Sequence, residues 1–138
     1  MPLLSLQVDD LLGGGPTLAL RVLPVMRSGP SAKSFPEAST VRALIDTGSS
    51  STVLKESIAE ELGLEAVSTA TIHTASSANV VCAEYDLKLV VRPDMIFHVR
   101  ALGLPMDGQS FGCLIGRDLL AQCGFVYLGP QNQFVLSI

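Results

Sequence analysis

Asp46, in Ala43-Leu44-Ile45-Asp46-Thr47-Gly48-Ser49, is the residue of this chain best placed to do chemistry. An apolar run leads into it, and the hydroxyls of Thr47, Ser49, Ser50 and Ser51 follow. A carboxylate at the end of a buried strand lies against apolar walls yet within reach of local donors. Gly48 lets the backbone turn sharply and approach a neighbour or ligand. The chemistry suited to such a group is acid–base work on water. Hydrolysis of a peptide bond needs a base to activate water and an acid to protonate the departing nitrogen. Two facing carboxylates supply both, because like charges at short range share one proton. A single Asp-Thr-Gly supplies half of such a pair. Taken alone, the tripeptide reads better as an ordinary strand-ending turn.

A second feature stands far downstream: Leu114-Ile115-Gly116-Arg117-Asp118-Leu119-Leu120. Asp118 is a conceivable second carboxylate within the chain. Its position after Gly116-Arg117, at a helix start, fits capping or an ion pair better. A symmetric homodimer is the simpler source of the second acid.

The elements that must position these residues are mostly strands. Thr17–Val25 is apolar and opens after Gly13-Gly14-Gly15-Pro16. Residues 28–39 collect Gly, Pro and Ser and read as an exposed loop, and Val41–Ile45 as a short buried strand. A helix is expected next. Ser51 or Thr52 caps it, Leu54, Ile58 and Leu62 share one face, Glu56, Glu60 and Glu61 lie mostly off that face and are solvated, and Gly63 stops it. Strands follow over 70–74, 80–91 and 96–102, with turns at Pro93-Asp94 and Pro105-Met106-Asp107-Gly108. Residues 117–122 read as a short helix, and 125–128 and 134–138 as a hairpin around Gly129-Pro130-Gln131-Asn132. Many short strands with one or two helices indicate an all-β barrel or sandwich, formed by one domain over 1–138. Its N-terminal segment, 1–15, receives no element, and 129–138 forms a C-terminal hairpin extension.

Composition narrows the function classes. With 48% hydrophobic and 16% charged residues the chain has ample material for a core. A net charge of −4 and no basic run argue against a nucleic-acid partner. No stretch reaches the roughly 18–20 uninterrupted apolar residues of a membrane span, so no membrane partner is expected. The N-terminus has Asp9 and Asp10 and no basic start, and the expected location is cytoplasmic. Cys82, Cys113 and Cys123 lack metal-ligand spacing; Cys113 and Cys123 read as small core residues. His73 and His98 read as solvated strand residues.

Leu44-Ile45-Asp46-Thr47-Gly48, Glu84-Tyr85-Asp86-Leu87-Lys88-Leu89 and Leu114-Ile115-Gly116-Arg117-Asp118-Leu119-Leu120 together, in this order, resemble the retropepsins, the retroviral-type aspartic proteases, and their bacterial relatives. The resemblance runs from about Thr17 to Phe125. It implies a retropepsin-like closed β-barrel of the acid-protease fold and an aspartic endopeptidase acting on a peptide or protein substrate, with no cofactor and no metal. It further implies a homodimer that places two copies of Asp46 across a two-fold axis. On this basis Thr47 links the two loops, Gly48 offers its backbone to substrate, and Ser49 donates to the aspartate. A donor favours the ionised carboxylate, so Ser49 is expected to draw activity toward acid pH. Leu114, Ile115 and Gly116 support the loop from behind, while Arg117 and Asp118 open a helix beneath it and are linked to the dimer.

Three departures from the family pattern stand out. The stretch matching the substrate-covering flap, with Thr74, Ala75, Ser76, Ser77 and Ala78 at its centre, has no glycine. Ser50 occupies a position where viral members often have an acid paired with the partner's helix arginine, so Arg117 needs another partner. The chain also continues past the terminal helix into a hairpin, which either rebuilds the dimer sheet or blocks it. The runner-up reading is a non-catalytic retropepsin-like dimerisation or peptide-binding module.

Overall fold

The computed structural model describes residues 2–25, 35–73 and 79–138. Its strands are β1 (Leu3–Gln7), β2 (Thr17–Pro24), β3 (Ser39–Ile45), β4 (Val53–Lys55), β5 (Ser68–Ile72), β6 (Val80–Arg92), β7 (Met95–Leu104), β8 (Cys113–Ile115), β9 (Gly124–Leu128) and β10 (Gln133–Ser137). Three short helices, α1 (Leu11–Gly14), α2 (Glu56–Glu61) and α3 (Arg117–Leu120), punctuate them.

Strands β2, β3, β8, β4, β7 and β6 lie side by side in that order, and β6 pairs back onto β2, which closes a six-stranded barrel. Alternation along the strands explains its core. Leu18, Leu20 and Val22 of β2 point inward, as do Val41, Ala43 and Ile45 of β3 and Leu87 and Leu89 of β6. The fold is therefore the mainly-β closed barrel expected from the sequence. The Glu84–Leu89 motif lies on β6, where Leu87 and Leu89 face the core. Asp86 faces out, and the guanidinium of Arg100 on β7, 2.8 Å away, holds its carboxyl below the usual range.

Strand β5 adds to β6 outside the barrel, in register from Ser68 opposite Glu84 to Ile72 opposite Val80. Residues 74–78, on which the flap expectation falls, lie outside the described residues, as does 26–34, most of the expected exposed loop. His73 and His98 are exposed, and the three cysteines are free, with Cys82 and Cys113 buried and Cys123 half-buried.

Two expectations need correction. The helix expected to be capped by Ser51 or Thr52 begins later, at Glu56, and Lys55 precedes it without a side-chain cap. Val53–Lys55 is instead a strand wedged between β7 and β8. Leu54 is completely buried there, so sheet pairing overrides the helical spacing of Leu54, Ile58 and Leu62. Gly63 does end the helix, with a left-handed φ of 64°.

Segment 1–15 is not featureless either. It forms β1 and α1, and β1 pairs antiparallel with β10, whose other side pairs with β9. The C-terminal hairpin thus joins the N-terminal strand of its own chain in a three-stranded sheet, β1-β10-β9. Phe134 and Leu136 fill the joint with the barrel core. No helix among the described residues is long and apolar enough to cross a membrane.

Candidate active site

The parallel pairing of β3 with β8 builds the site. Leu44 lies opposite Leu114 and Ile45 opposite Ile115, so both strands end together. The ladder continues one step further: the Asp46 N–H donates to the Ile115 carbonyl at 2.9 Å. Ile45 donates to the Pro16 carbonyl at 3.0 Å, which fixes the approach from the other side. Asp46, a half-buried residue, is therefore delivered on hydrogen-bonded backbone at the barrel end.

A tight turn then wraps around that carboxylate. The Gly48 N–H donates to Asp46 Oδ1 at 2.9 Å, and the Ser49 N–H to the Asp46 carbonyl at 3.2 Å. Thr47 and Gly48 are exposed. Ser49 departs from expectation. Its hydroxyl donates to the Ser51 carbonyl at 2.7 Å, and its one proton is thereby committed within the loop. The donor to Asp46 is the Gly48 backbone.

Leu114 and Ile115 pair with Leu44 and Ile45 ahead of the loop. Gly116 packs directly on the Ser51–Thr52 backbone: a Cβ there would lie 2.4 Å from the Ser51 carbonyl carbon and oxygen. Arg117 ties the far side, its N–H donating to the Ser49 carbonyl at 2.8 Å and its Nη1 to the Thr47 carbonyl at 2.7 Å. That is the alternative partner required by Ser50, and it lies in the same chain.

Asp118 is a brace. Its Oδ2 accepts from the Thr52 N–H at 3.0 Å, and its Oδ1 accepts from the Thr52 hydroxyl at 2.7 Å and the Leu119 N–H at 2.8 Å. Thr52 Oγ1 in turn accepts from Gly116 N–H at 3.2 Å. Thr52, expected as a helix cap, instead braces this junction. A hydroxyl between the serine run and the apolar Val53-Leu54 was the available signal. Both oxygens of Asp118 are thus committed to Thr52 and Leu119 and not to Asp46.

Beside the loop lies a second apolar cluster, outside the barrel core. Val53, Cys82 and Leu102 are buried in it, with Leu114, Leu104, Met106, Ala70 and Ile72 packed around them. Leu114 is the register partner of both Leu44 and Val53, so this wall abuts the strand that carries Asp46. Among the described residues no group of three or more His, Cys, Asp or Glu stands together to hold a metal ion.

Comparison with known proteins bears on the family and the fold. Residues 34–119 match the family described as aspartyl protease. A retropepsin-like aspartic protease from Rickettsia conorii superposes with a TM-score of 0.60 at 19% identity, over 98% of this chain and 91% of that one. EIAV protease, in complex with the inhibitor HBY-793, superposes with a TM-score of 0.56 at 17% identity, over 83% of this chain and 93% of that one. No curated protein sequence matches.

Proposed function

The chain belongs to the aspartyl protease family, and from that premise we propose that it is an aspartic endopeptidase whose active site forms between two copies of the chain, each contributing Asp46. The observation that carries this reading is Asp46, a half-buried residue presented on paired strand ends with its carboxylate held by Gly48 N–H, while the nearby Asp118 is committed to Thr52 and Leu119.

The mechanism follows from two such carboxylates sharing a proton. The ionised Asp46 takes a proton from a water held between the pair as the water oxygen bonds to the peptide carbonyl carbon. The protonated Asp46 hydrogen-bonds the carbonyl oxygen as charge develops there. Collapse of the tetrahedral species breaks the C–N bond, and a proton passes to the departing nitrogen. Gly48 is placed to orient its carboxylate, and exposed Thr47 is free to meet the partner loop. The wall of Val53, Leu102, Leu114 and Met106 favours apolar side chains beside the scissile bond.

The test is cleavage of a peptide library between about pH 4 and 7, where acid–base groups of this kind operate. Asp46→Asn is expected to abolish turnover while circular dichroism is unchanged, and pepstatin is expected to inhibit the wild type. Cleavage that survives in Asp46→Asn overturns the reading. Peptide binding without turnover in the wild type favours the binding module instead. Full cleavage at concentrations where sedimentation shows only monomer contradicts the shared site.

A further inference from the structure

Building on the paired-aspartate reading, we propose that the second copy docks strand on strand along the free edge of β9, which turns two three-stranded sheets into one six-stranded sheet across a two-fold axis.

Strand β9 pairs with β10 on one side only, and among the described residues no strand pairs with its other edge. Exposed sheet edges are normally blunted by charge, proline or a bulge, since their unpaired N–H and C=O groups template further pairing. Gly124-Phe125-Val126-Tyr127-Leu128 has none of these devices. Charge points the same way. Residues 119–138 contain no Asp, Glu, Lys, Arg or His, in a chain that is 16% charged overall. Two copies that each carry −4 repel one another, so they dock most easily where neither presents charge.

The sheet has a second free edge, β1, which is also uncharged. The position of the catalytic loop decides between them. Arg117 of α3 holds the Thr47 carbonyl, and α3 runs through a short turn straight into β9. Pairing β9 with its copy leaves the two β9 strands about 4.8 Å apart. Pairing through β1 would separate them by five strand spacings, about 24 Å. Only the first arrangement draws both α3 helices, and the loops they hold, toward one axis.

Self-pairing across a two-fold axis normal to the sheet is antiparallel, and over all five residues it centres on Val126. Each Val126, 49% exposed, then faces its own copy. Gly124 faces the partner's Leu128, a small residue opposite a large one. On the outer face Ser5, Val135 and Val126 lie in register, so the contact continues as an uncharged strip.

The full-length chain tests this by sedimentation and cross-linking. In a Cys123→Ser background, Val126→Cys is expected to give a reducible covalent dimer under mild oxidation, because facing strand residues have Cα atoms within disulfide range. Ser5→Cys, at the exposed centre of β1, which would face its own copy if β1 paired instead, is expected to give none. Val126→Lys and Val126→Glu should each weaken the dimer on the order of 100-fold through facing like charges. Mixing the two variants should restore it. Cross-linking through Ser5→Cys alone, or a Val126→Lys protein that sediments and cleaves peptide like wild type, overturns the interface while leaving the paired aspartates standing. A Val126→Cys dimer that forms without any peptide cleavage by the wild type supports the interface and counts against the enzyme.

Discussion

Thr52 and Asp118 form a two-point clasp beneath the Asp46 loop: the carboxylate accepts both the backbone N–H and the hydroxyl of a threonine with 0% exposure. Cutting it leaves buried donors without acceptors, which costs more than the bonds themselves contribute. Asp118→Ala is expected to lose about 2–4 kcal/mol of unfolding free energy, and Thr52→Val about 1–3. Asp118→Asn should fall between Asp118→Ala and wild type, since its one carbonyl oxygen still accepts from the hydroxyl. Urea midpoints at constant slope measure all three.

Gly116 offers a purely steric test. Its backbone is extended, so any residue suits the conformation, but the Ser51 carbonyl carbon and oxygen are 2.4 Å from where a Cβ would stand. Backbone cannot swing aside as a flexible side chain can. Gly116→Ala is expected to cost about 1–3 kcal/mol and to displace the loop. Because the displaced segment carries Asp46, kcat should fall further than substrate binding. A variant with wild-type melting and full activity would show that the two backbones do not meet this closely.

Arg117 tests whether the loop needs a tether. Its guanidinium bridges to the Thr47 carbonyl next to the catalytic residue. Arg117→Ala removes that tie without touching Asp46, and positioning errors near 1 Å can cost ~100-fold in rate. Steady-state kinetics should show a 10- to 100-fold drop in kcat, partly regained in Arg117→Lys, which keeps one donor but loses the planar fork.

What the sequence disclosed depended on whether its signal was local. The Asp46 turn and Leu114-Ile115-Gly116 are contiguous patterns, and both ends of the parallel β3–β8 pair were legible. So was Leu87/Leu89 alternation on β6. Strand β1 was not, because its reason for being a strand is β10, far along the chain, and Leu-Leu-Ser-Leu-Gln alone specifies little. Three residues of β4 hid inside a helical spacing that α2 continues. Among three consecutive serines, nothing local reveals that the Ser49 hydroxyl turns to Ser51 and leaves Asp46 to Gly48.

Cys113 makes a prediction about alkaline pH. It is completely buried beside Ala43 on the β3–β8 pair, and desolvation, with the nearby Asp118 charge, pushes its thiol up to about 12 from an ordinary 9.0. The folded protein therefore keeps a proton that the unfolded chain releases above pH 9. Stability falls as pH rises when the folded state binds more protons, so this residue erodes stability from about pH 9 to about 12, at up to ~1.4 kcal/mol per pH unit. Below pH 9 it contributes no slope. Cys113→Ala should lower stability near pH 7 by leaving a small void, yet flatten the decline between pH 9 and 11. Chemical denaturation at half-unit intervals reads the slope directly. Equal slopes in both proteins would mean that the thiol ionises in the folded state as readily as in the unfolded one.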